Sequence, residues 1–191
     1  MAGLADALAL QLDAWGVGQV ALVGGSMGGV VAQHFTLRHA ERVQRLLLVA
    51  TGAFTPNETI ALEKADALST AKWNEETVTP IVDGFFHQRP SASMLAEYRK
   101  IATSASQKAA VEAAHSNAAN RTFDELASIR VPTMIIQGRY DSARTPEHGA
   151  AMRDRIAGSI LAVIEDAGHT PQLEQPQLFQ DVALPFLLQR R

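Results

Sequence analysis

The sequence predicts an α/β protein with a parallel sheet and a helical insertion. A short apolar run without polar alternation, typical of a strand buried on both faces, occurs at residues 20–23, and a second buried strand is predicted over 43–50. A segment of helical periodicity separates them, and such a β-α-β step implies a parallel strand pair with a right-handed crossover. A long middle segment rich in Ala, Glu, Lys, Ser and Thr contains no strand-like run. We therefore expect one sheet whose chain is interrupted by helices.

The first 15 residues predict an amphipathic helix that packs on the core. Leu4, Leu8, Leu12 and Trp15 share one stripe at helical spacing. Two aspartates lie in the same segment, so it is expected to be neither a signal peptide nor a membrane span. Glycines that follow directly are expected to end the helix.

The remaining elements continue the alternation. They are a helix over 27–40, a strand over 131–137, a helix over 146–156 and a strand over 159–164. A last helix is expected from about Pro176, with a kink at Pro185. Its predicted inner face consists of Leu178, Phe179, Val182, Phe186 and Leu187.

The middle segment divides the chain into a core and an insertion. We expect residues 1–52 and 128–191 to form the core and residues 53–127 to form a lid over its crevice. Apolar residues at helical spacing more often form the interior of such a lid than a substrate pocket. The candidates for either role are Phe54, Trp73, Phe85, Phe86, Met94 and Tyr98.

Composition narrows the classes of function. The formal net charge of −3 and the lack of a long basic run argue against nucleic acid or a membrane surface as partner and favour a small molecule. The absence of cysteine excludes disulfides, thiolate catalysis and cysteine metal sites, and it fits a cytoplasmic location. No histidine pair has metal-ligand spacing, so neither metal nor cofactor is expected.

A serine lies in a glycine-rich turn between the first strand and the next helix. The pattern Gly24-x-Ser26-x-Gly28 predicts a nucleophile elbow, in which Ser26 projects above the sheet and side chains at Gly24 or Gly28 would clash. A helix N-cap serine explains the same turn, considered alone. A phosphate-binding loop is disfavoured because no lysine follows the turn.

Two further loops follow predicted strands and carry an acid and a base. Asp141 follows the strand at 131–137, and His169 follows the strand at 159–164. Because side chains just beyond the carboxyl ends of parallel strands converge on one crevice, we expect Ser26, Asp141 and His169 to meet there. The neighbouring Glu165 and Asp166 are expected to be loop hydrogen bonders. The other histidines are assigned to packing, helix-end or surface positions: His34, His39, His87, His115 and His148.

This order of serine, acid and histidine, with helices between serine and acid, resembles the alpha/beta-hydrolase fold family. The segment that begins Gly168-His169-Thr170-Pro171 is similar to the histidine loop of that family, whereas Pro146 comes one residue later than expected. The resemblance implies acyl-enzyme chemistry, in which His169 takes the Ser26 proton and Asp141 orients the imidazole. The backbone N–H of Met27 would donate to the oxyanion.

The resemblance also implies strands before the elbow, and a loop with a second oxyanion donor, which this chain is expected to lack. The strand at 20–23 is then an exposed edge that favours pairing with another chain, including a second copy. Three interpretations follow: a fragment of a longer enzyme, which we favour, a sheet completed by a partner, or a weakly active or inactive binding or assembly module.

Substrate and reaction type stay open at this point. An ester, a lactone or an activated carbon-carbon bond fits a hydrolase, and acyl transfer, perhydrolysis or lyase chemistry would use the same residues. Arg89, Arg99 and Arg144 are candidates to bind a substrate carboxylate, although a solvated surface position is the simpler expectation for each.

Overall fold

The computed structural model describes residues 1–189, and its centre is a sheet of four parallel strands. The strands are β1 (Val20–Gly25), β2 (Val43–Val49), β3 (Thr133–Gly138) and β4 (Ile160–Ile164). They are hydrogen-bonded in the order β1-β2-β3-β4, and every neighbouring pair is parallel. The predicted α/β architecture is therefore confirmed.

Helices connect the strands and cover both faces of the sheet. They are α1 (Ala2–Ala14), α2 (Met27–Arg38), α3 (Glu58–Thr70), α4 (Glu75–Asp83), α5 (Ala92–Ser104), α6 (Gln107–Ala118), α7 (Pro146–Arg155), α8 (Pro171–Glu174) and α9 (Pro176–Leu188). Within residues 1–189, no helix combines the length and apolar character needed to cross a bilayer.

The core has one layer on each face of the sheet. Alternate residues of β2 point to opposite faces, so Leu46 and Leu48 pack with α1, α2 and α7, whereas Leu47 and Val49 pack with α9. Residues of β3 divide in the same way. Because β2 and β3 lie at the centre of the sheet, both are almost completely buried, and each contains a run of apolar residues.

The predicted buried stripe of α1 is wrong in part. Leu4 is 54% exposed and Trp15 is 67% exposed, whereas Ala5 and Ala9 are buried together with Leu12. The small alanines allow α1 to lie close to its neighbour, and this places the bulkier side chains on the outer surface.

The prediction that β1 is buried on both faces is also wrong. Val23 is 51% exposed, and Ala21 is exposed as well. Among residues 1–189, β1 pairs with β2 alone, so it forms an edge of the sheet. β1 therefore has the apolar sequence of an interior strand, but among the described residues it lies at the edge of the sheet.

The last helix follows the prediction with one correction. Phe179, Val182, Phe186 and Leu187 pack on the sheet, but Leu178 is 48% exposed. The helix continues through Pro185 to Leu188. Proline removes one backbone donor, yet the apolar face on either side of it remains packed.

Four helices, α3 to α6, lie between β2 and β3 in the chain and are here called the cap. At the N-terminus of each helix, a side chain accepts a hydrogen bond from the backbone. An Asn or Ser oxygen accepts a hydrogen bond from the backbone N–H three residues later, which stabilises the helix start. The capping residues are Asn57, Asn74, Ser91 and Ser106. A small core of Val78, Val82 and Leu95, with Trp73, Phe86 and Tyr98 packed against it, joins α4 to α5.

Candidate active site

Ser26 occupies the turn between β1 and α2 in a strained backbone conformation. Its φ of 49° and ψ of −121° lie in a region that residues with a Cβ rarely adopt. Hydrogen bonds hold the turn on both sides: the Ser26 N–H donates to the Val49 carbonyl (2.8 Å), and its carbonyl accepts from Gly29 N–H (2.9 Å) and from Thr51 Oγ1 (2.6 Å). The surrounding structure thus fixes the orientation expected of a nucleophile elbow.

The glycines of the turn differ in how much space the structure leaves for a side chain. A Cβ on Gly24 would lie 2.5 Å from the Gly28 carbonyl oxygen and 2.7 Å from Gly29 Cα, so only glycine fits there. The predicted clash at Gly28 is wrong, because a Cβ at that position would meet nothing within 4 Å. The second close approach is at Gly29, where a Cβ would lie 2.6 Å from the Thr51 side chain.

Asp141 lies in the loop after β3 and is fully engaged. Its Oδ1 accepts hydrogen bonds from the backbone N–H groups of Ala143 and Arg144, each at 2.8 Å. Its Oδ2 lies 2.7 Å from His169 Nδ1. Since the buried carboxylate can only accept, the hydrogen of that bond belongs to Nδ1 of the imidazole.

His169 lies in the loop after β4 and joins the acid to the serine. With Nδ1 protonated, Nε2 is the free acceptor, and it lies 2.8 Å from Ser26 Oγ. The imidazole side chain is only 8% exposed. The structure therefore brings together the three side chains that the sequence placed at one sheet edge.

One carboxylate that sequence reasoning missed supports the histidine loop. Glu174, at the end of α8, accepts hydrogen bonds from the backbone N–H groups of Gly168 (3.0 Å) and Thr170 (3.2 Å) and from Thr170 Oγ1 (2.9 Å). The same group accepts from the backbone N–H groups of His87 and Gln88 in the cap, each at 2.8 Å. Glu174 thus fixes the loop of His169 against the cap.

The cap also contacts His169 directly. The backbone N–H of His169 donates to the Phe85 carbonyl over 2.8 Å, and the Phe85 ring lies 5.3 Å from the imidazole. A Cβ on Gly168 would lie 2.7 Å from the His87 backbone nitrogen, so glycine permits this approach. The imidazole is therefore held by groups from both the core and the cap.

Two buried glutamines, also missed from the sequence, hold the loop after β2 beneath the serine. Gln137 Nε2 donates to the Thr51 carbonyl (2.7 Å), and Gln33 Nε2 donates to the Gly52 carbonyl (3.1 Å). Both glutamines are completely buried. Since Thr51 in turn donates to the Ser26 carbonyl, these amides support the strained turn from below.

Comparison with known proteins identifies the family of this chain. A family model described as the alpha/beta hydrolase family matches residues 1–182. The chain belongs to the alpha/beta hydrolase family. A 2-hydroxy-6-oxononadienedioate/2-hydroxy-6-oxononatrienedioate hydrolase of Klebsiella pneumoniae is 31% identical over 92% of this chain. A pimeloyl-acyl-carrier-protein methyl ester esterase of Neisseria meningitidis is 29% identical over 94% of it.

Solved structures of hydrolases show the same fold. The crystal structure of a Pseudomonas aeruginosa hydrolase matches 97% of this chain with a TM-score of 0.90 and 26% identity. The chain spans 65% of the length of the Klebsiella hydrolase, 71% of the Neisseria esterase and 71% of the Pseudomonas hydrolase chain.

Met27 is the residue whose backbone N–H the resemblance implied as an oxyanion donor. It is the first residue of α2, and its N–H makes no hydrogen bond to a backbone carbonyl of residues 1–189. The N-terminal end of a helix carries a partial positive charge that favours an oxyanion. The oxyanion role of this N–H and the expected lack of a second donor in the chain both stay predictions from the resemblance.

A cleft of about 390 Å³ opens above Ser26 and His169. Its walls come from the loop after β2, from α3 and the end of α6, from Phe85 and from the loop after β3. The charged side chains that line it are Lys64 and Arg144, both cationic. The site is therefore reached through a pocket that no carboxylate of the described residues lines.

The three candidate arginines occupy different environments. Arg89 and Arg99 both bind Asp83 within the cap, and the Asp83 carboxylate raises the pKa of Arg99 further. Arg144 instead lines the cleft, is half-buried, and has its pKa lowered by burial. The expectation of a solvated surface position is wrong for Arg144.

The remaining acids and histidines have structural contacts. Glu165 binds Arg139, and the Asp166 carbonyl accepts from Gln175, as loop hydrogen bonders. The histidine contacts are His34 with Asn120, His39 with Asp6, His87 with Tyr140, His115 with Asp66 and His148 with Phe54. In the described part of the chain, no three His, Asp or Glu side chains are grouped to hold a metal ion.

Proposed function

We propose that this chain carries the active site of a serine hydrolase that works through an acyl-enzyme. One observation carries the proposal: Ser26 Oγ lies 2.8 Å from His169 Nε2, and His169 Nδ1 lies 2.7 Å from Asp141 Oδ2. An N-cap serine, the competing interpretation of the turn, would accept a hydrogen bond from its own helix, whereas the Ser26 side chain makes no such bond.

The reaction follows from the direction of these hydrogen bonds. Ser26 Oγ attacks the substrate carbonyl carbon while its proton moves to His169 Nε2, and Asp141 stabilises the resulting imidazolium through Nδ1–H. The carbonyl oxygen gains the negative charge, and the Met27 N–H donates to it. When the intermediate collapses, the bond to the leaving group breaks and the Nε2 proton passes to that group.

The second half of the reaction repeats these steps with water. A water molecule attacks the acyl carbon and transfers a proton to His169 Nε2. The bond between Ser26 Oγ and the acyl carbon then breaks, and the proton returns to Ser26. The acid product leaves, and the three residues recover their starting protonation states.

Small carboxylic esters, lactones and activated carbon-carbon bonds are the proposed substrates. The names of the two curated relatives, a hydrolase of unsaturated oxo-acids and a methyl ester esterase, support this range. The dimensions of the cleft suit a small molecule. Acyl transfer differs only in the nucleophile of the second half, so product analysis with a competing alcohol distinguishes it from hydrolysis. A cytoplasmic location stays a prediction.

Active-site labelling tests the proposal on the full chain. We expect a fluorophosphonate probe to label the wild type and p-nitrophenyl acetate to be hydrolysed, and both signals to disappear in Ser26→Ala. Asp141→Asn should lower kcat/KM by about 10⁴-fold, because the imidazole then adopts the wrong tautomer. Ser104→Ala, which removes an exposed serine at the end of α5, is the matched control. A folded wild type that the probe does not label would refute the proposal.

A further inference from the structure

We propose that Arg144 forms an anion-binding subsite in the cleft, so that the preferred substrate carries a carboxylate at some distance from the bond that is cleaved. The proposal rests on the hydrolase function above and specifies the class of its substrate. Arg144 lies in the loop after β3, and its proposed role is to select the substrate. This role is separate from the acyl-transfer chemistry of Ser26, His169 and Asp141.

Arg144 differs from the other arginines among residues 1–189 in having no partner for its guanidinium. The others each bind a carboxylate, a backbone carbonyl or an aromatic ring. The Arg144 side chain makes no hydrogen bond, ion pair or ring contact with a described residue. Its backbone N–H alone is used, as a donor to Asp141.

Its surroundings make the missing partner costly. Arg144 is half-buried, and its side chain lies beside Gly52 and His148. Burial lowers the pKa of Arg144, although the guanidinium stays charged at neutral pH. A charge taken out of water without a counter-ion loses hydration free energy, and a bound anion compensates for that loss. A planar guanidinium suits a carboxylate best, since it can form two parallel hydrogen bonds.

Asp141, whose charge acts on Arg144, does not serve as this counter-ion. Asp141 attracts the positive charge of Arg144 over a distance, but its two oxygens accept from His169 and from the backbone N–H groups of Ala143 and Arg144. The ion pair of Asp141 is with His169, and none within 4 Å joins its carboxylate to the Arg144 guanidinium. The guanidinium therefore keeps its donors for a ligand.

The other walls of the cleft favour an anion as well. Lys64, on α3, also lines the cleft and forms no ion pair with a described residue. Because two cations line the cleft and no carboxylate of residues 1–189 does, its electrostatic potential attracts an anionic substrate.

The position of Arg144 also gives the subsite a fixed relation to the reaction. It lies three residues after Asp141, and both its own N–H and that of Ala143 bind the carboxylate that orients His169. An anionic group held by Arg144 therefore keeps the rest of the substrate in the cleft that contains Ser26. Such anchoring mainly lowers KM and restricts the orientations that the carbonyl adopts.

A pair of esters tests the subsite on the full chain. The pair is p-nitrophenyl hexanoate and the mono-p-nitrophenyl ester of adipic acid, which have six acyl carbons each and differ by a terminal carboxylate. We expect the wild type to prefer the adipate ester, and Arg144→Met to lower kcat/KM for it by about 10- to 100-fold through KM. The hexanoate value should change by less than about twofold, because Met keeps most of the side-chain volume.

The controls separate this proposal from a structural role and from the proposed function. Arg153→Met removes a cation that binds Asp154 on α7 and should leave both esters unchanged. An equal loss for both esters in Arg144→Met, or no loss for either, would overturn the subsite. Adipate binding, measured by isothermal titration calorimetry, needs no turnover. Binding that Arg144→Met abolishes supports the subsite even when Ser26 is not labelled, whereas wild-type protein that does not bind adipate refutes it.

Discussion

The Glu174 carboxylate accepts a hydrogen bond from the backbone N–H of His87 over 2.8 Å, and this bond joins the histidine loop to the cap. The same carboxylate binds the backbone of Gly168 and Thr170 on either side of His169. One acidic side chain therefore binds both the loop that carries the imidazole and the part of the cap next to it. A change at Glu174 is expected to affect stability and reactivity together.

Glu174→Gln tests this coupling. The amide keeps the size of the side chain, but its NH₂ group faces backbone N–H donors that then have no acceptor. We expect the free energy of unfolding, measured with urea, to fall by about 2 kcal/mol, and the rate of Ser26 labelling to fall with it. The matched control is Glu112→Gln, which removes an exposed carboxylate that binds Lys108 on α6. If the labelling rate is unchanged, Glu174 does not position the imidazole.

The glycines of the elbow should respond differently to the same substitution. Gly24→Ala and Gly29→Ala place a Cβ within 2.7 Å of backbone or side-chain atoms, so both variants should be strongly destabilised and poorly labelled. Gly28→Ala meets open space inside α2, where alanine restricts the unfolded chain, and should raise the free energy of unfolding by about 0.5–1 kcal/mol. Thermal unfolding of the three variants measures this order, and a Gly28→Ala variant as unstable as the others would contradict it.

Backbone strain at Ser26 predicts a stability difference between two inactive variants. Alanine keeps the Cβ that disfavours a φ of 49°, whereas glycine removes it. Ser26→Gly should therefore be more stable than Ser26→Ala by about 1 kcal/mol, with neither variant labelled by the probe. Urea unfolding measures the difference. Equal stabilities would mean that the turn carries no strain.

The half-buried imidazole of His148 predicts how stability depends on pH. Burial, followed by the nearby Arg144 charge, lowers the pKa of His148 below its ordinary value, while Asp141 and Glu147 act in the opposite direction. The unfolded chain then binds a proton more readily than the folded one. Stability is therefore full above about pH 6.5 and decreases as the pH falls below that value. Burial lowers the pKa of His34 too, so both histidines contribute with the same sign.

The variant His148→Phe measures how much His148 contributes to the loss of stability at acid pH. The ring retains the stacking on Phe54, and the imidazole Nε2 that it removes has no hydrogen-bond partner among the described residues. Unfolding in urea at several values between pH 5 and pH 8 should show a smaller decrease in stability at acid pH than in the wild type. His87→Phe, at an exposed ring that stacks on Tyr140, should keep the wild-type profile. Identical profiles for wild type and His148→Phe would exclude the contribution.

The free side of β1 predicts self-association. We expect the exposed edge of β1 to pair with a second copy, because an interior-type strand at an edge offers unpaired backbone groups. Light scattering after size-exclusion chromatography should show a mass that increases with protein concentration, and Val23→Lys should reduce the increase. Ile101→Lys, on exposed cap helix α5, is the control. A wild type that stays monomeric at every concentration would refute the pairing.

The order of strands and helices could be predicted because each strand has a continuous apolar run. The meeting of Ser26, Asp141 and His169 could also be predicted, since each residue follows such a run and parallel strands end at one edge of the sheet. Boundaries agree within a few residues, as for β3, which begins at Thr133 and ends at Gly138. Local sequence determines these features.

Features that depend on contacts between distant segments could not be predicted. Glu174 binds backbone groups more than 80 residues away, and nothing in its own segment indicates His87 and Gln88 as donors. Similarly, Arg89, Arg99 and Arg144 are alike in sequence, and only the fold places Asp83 beside the first two. The alanine face of α1 was missed because helical spacing alone ranks leucine above alanine as a buried residue.

The hydrogen bond between His169 and Ser26 joins residues 143 positions apart, and the one between His169 and Asp141 joins residues 28 positions apart. Neither bond can form before the crossovers between the strands have closed, and such long-range closures are slow steps of folding. During refolding, secondary structure should therefore appear before Ser26 becomes nucleophilic. Probe reactivity at this one hydroxyl group then reports the time at which the whole chain has reached its native arrangement.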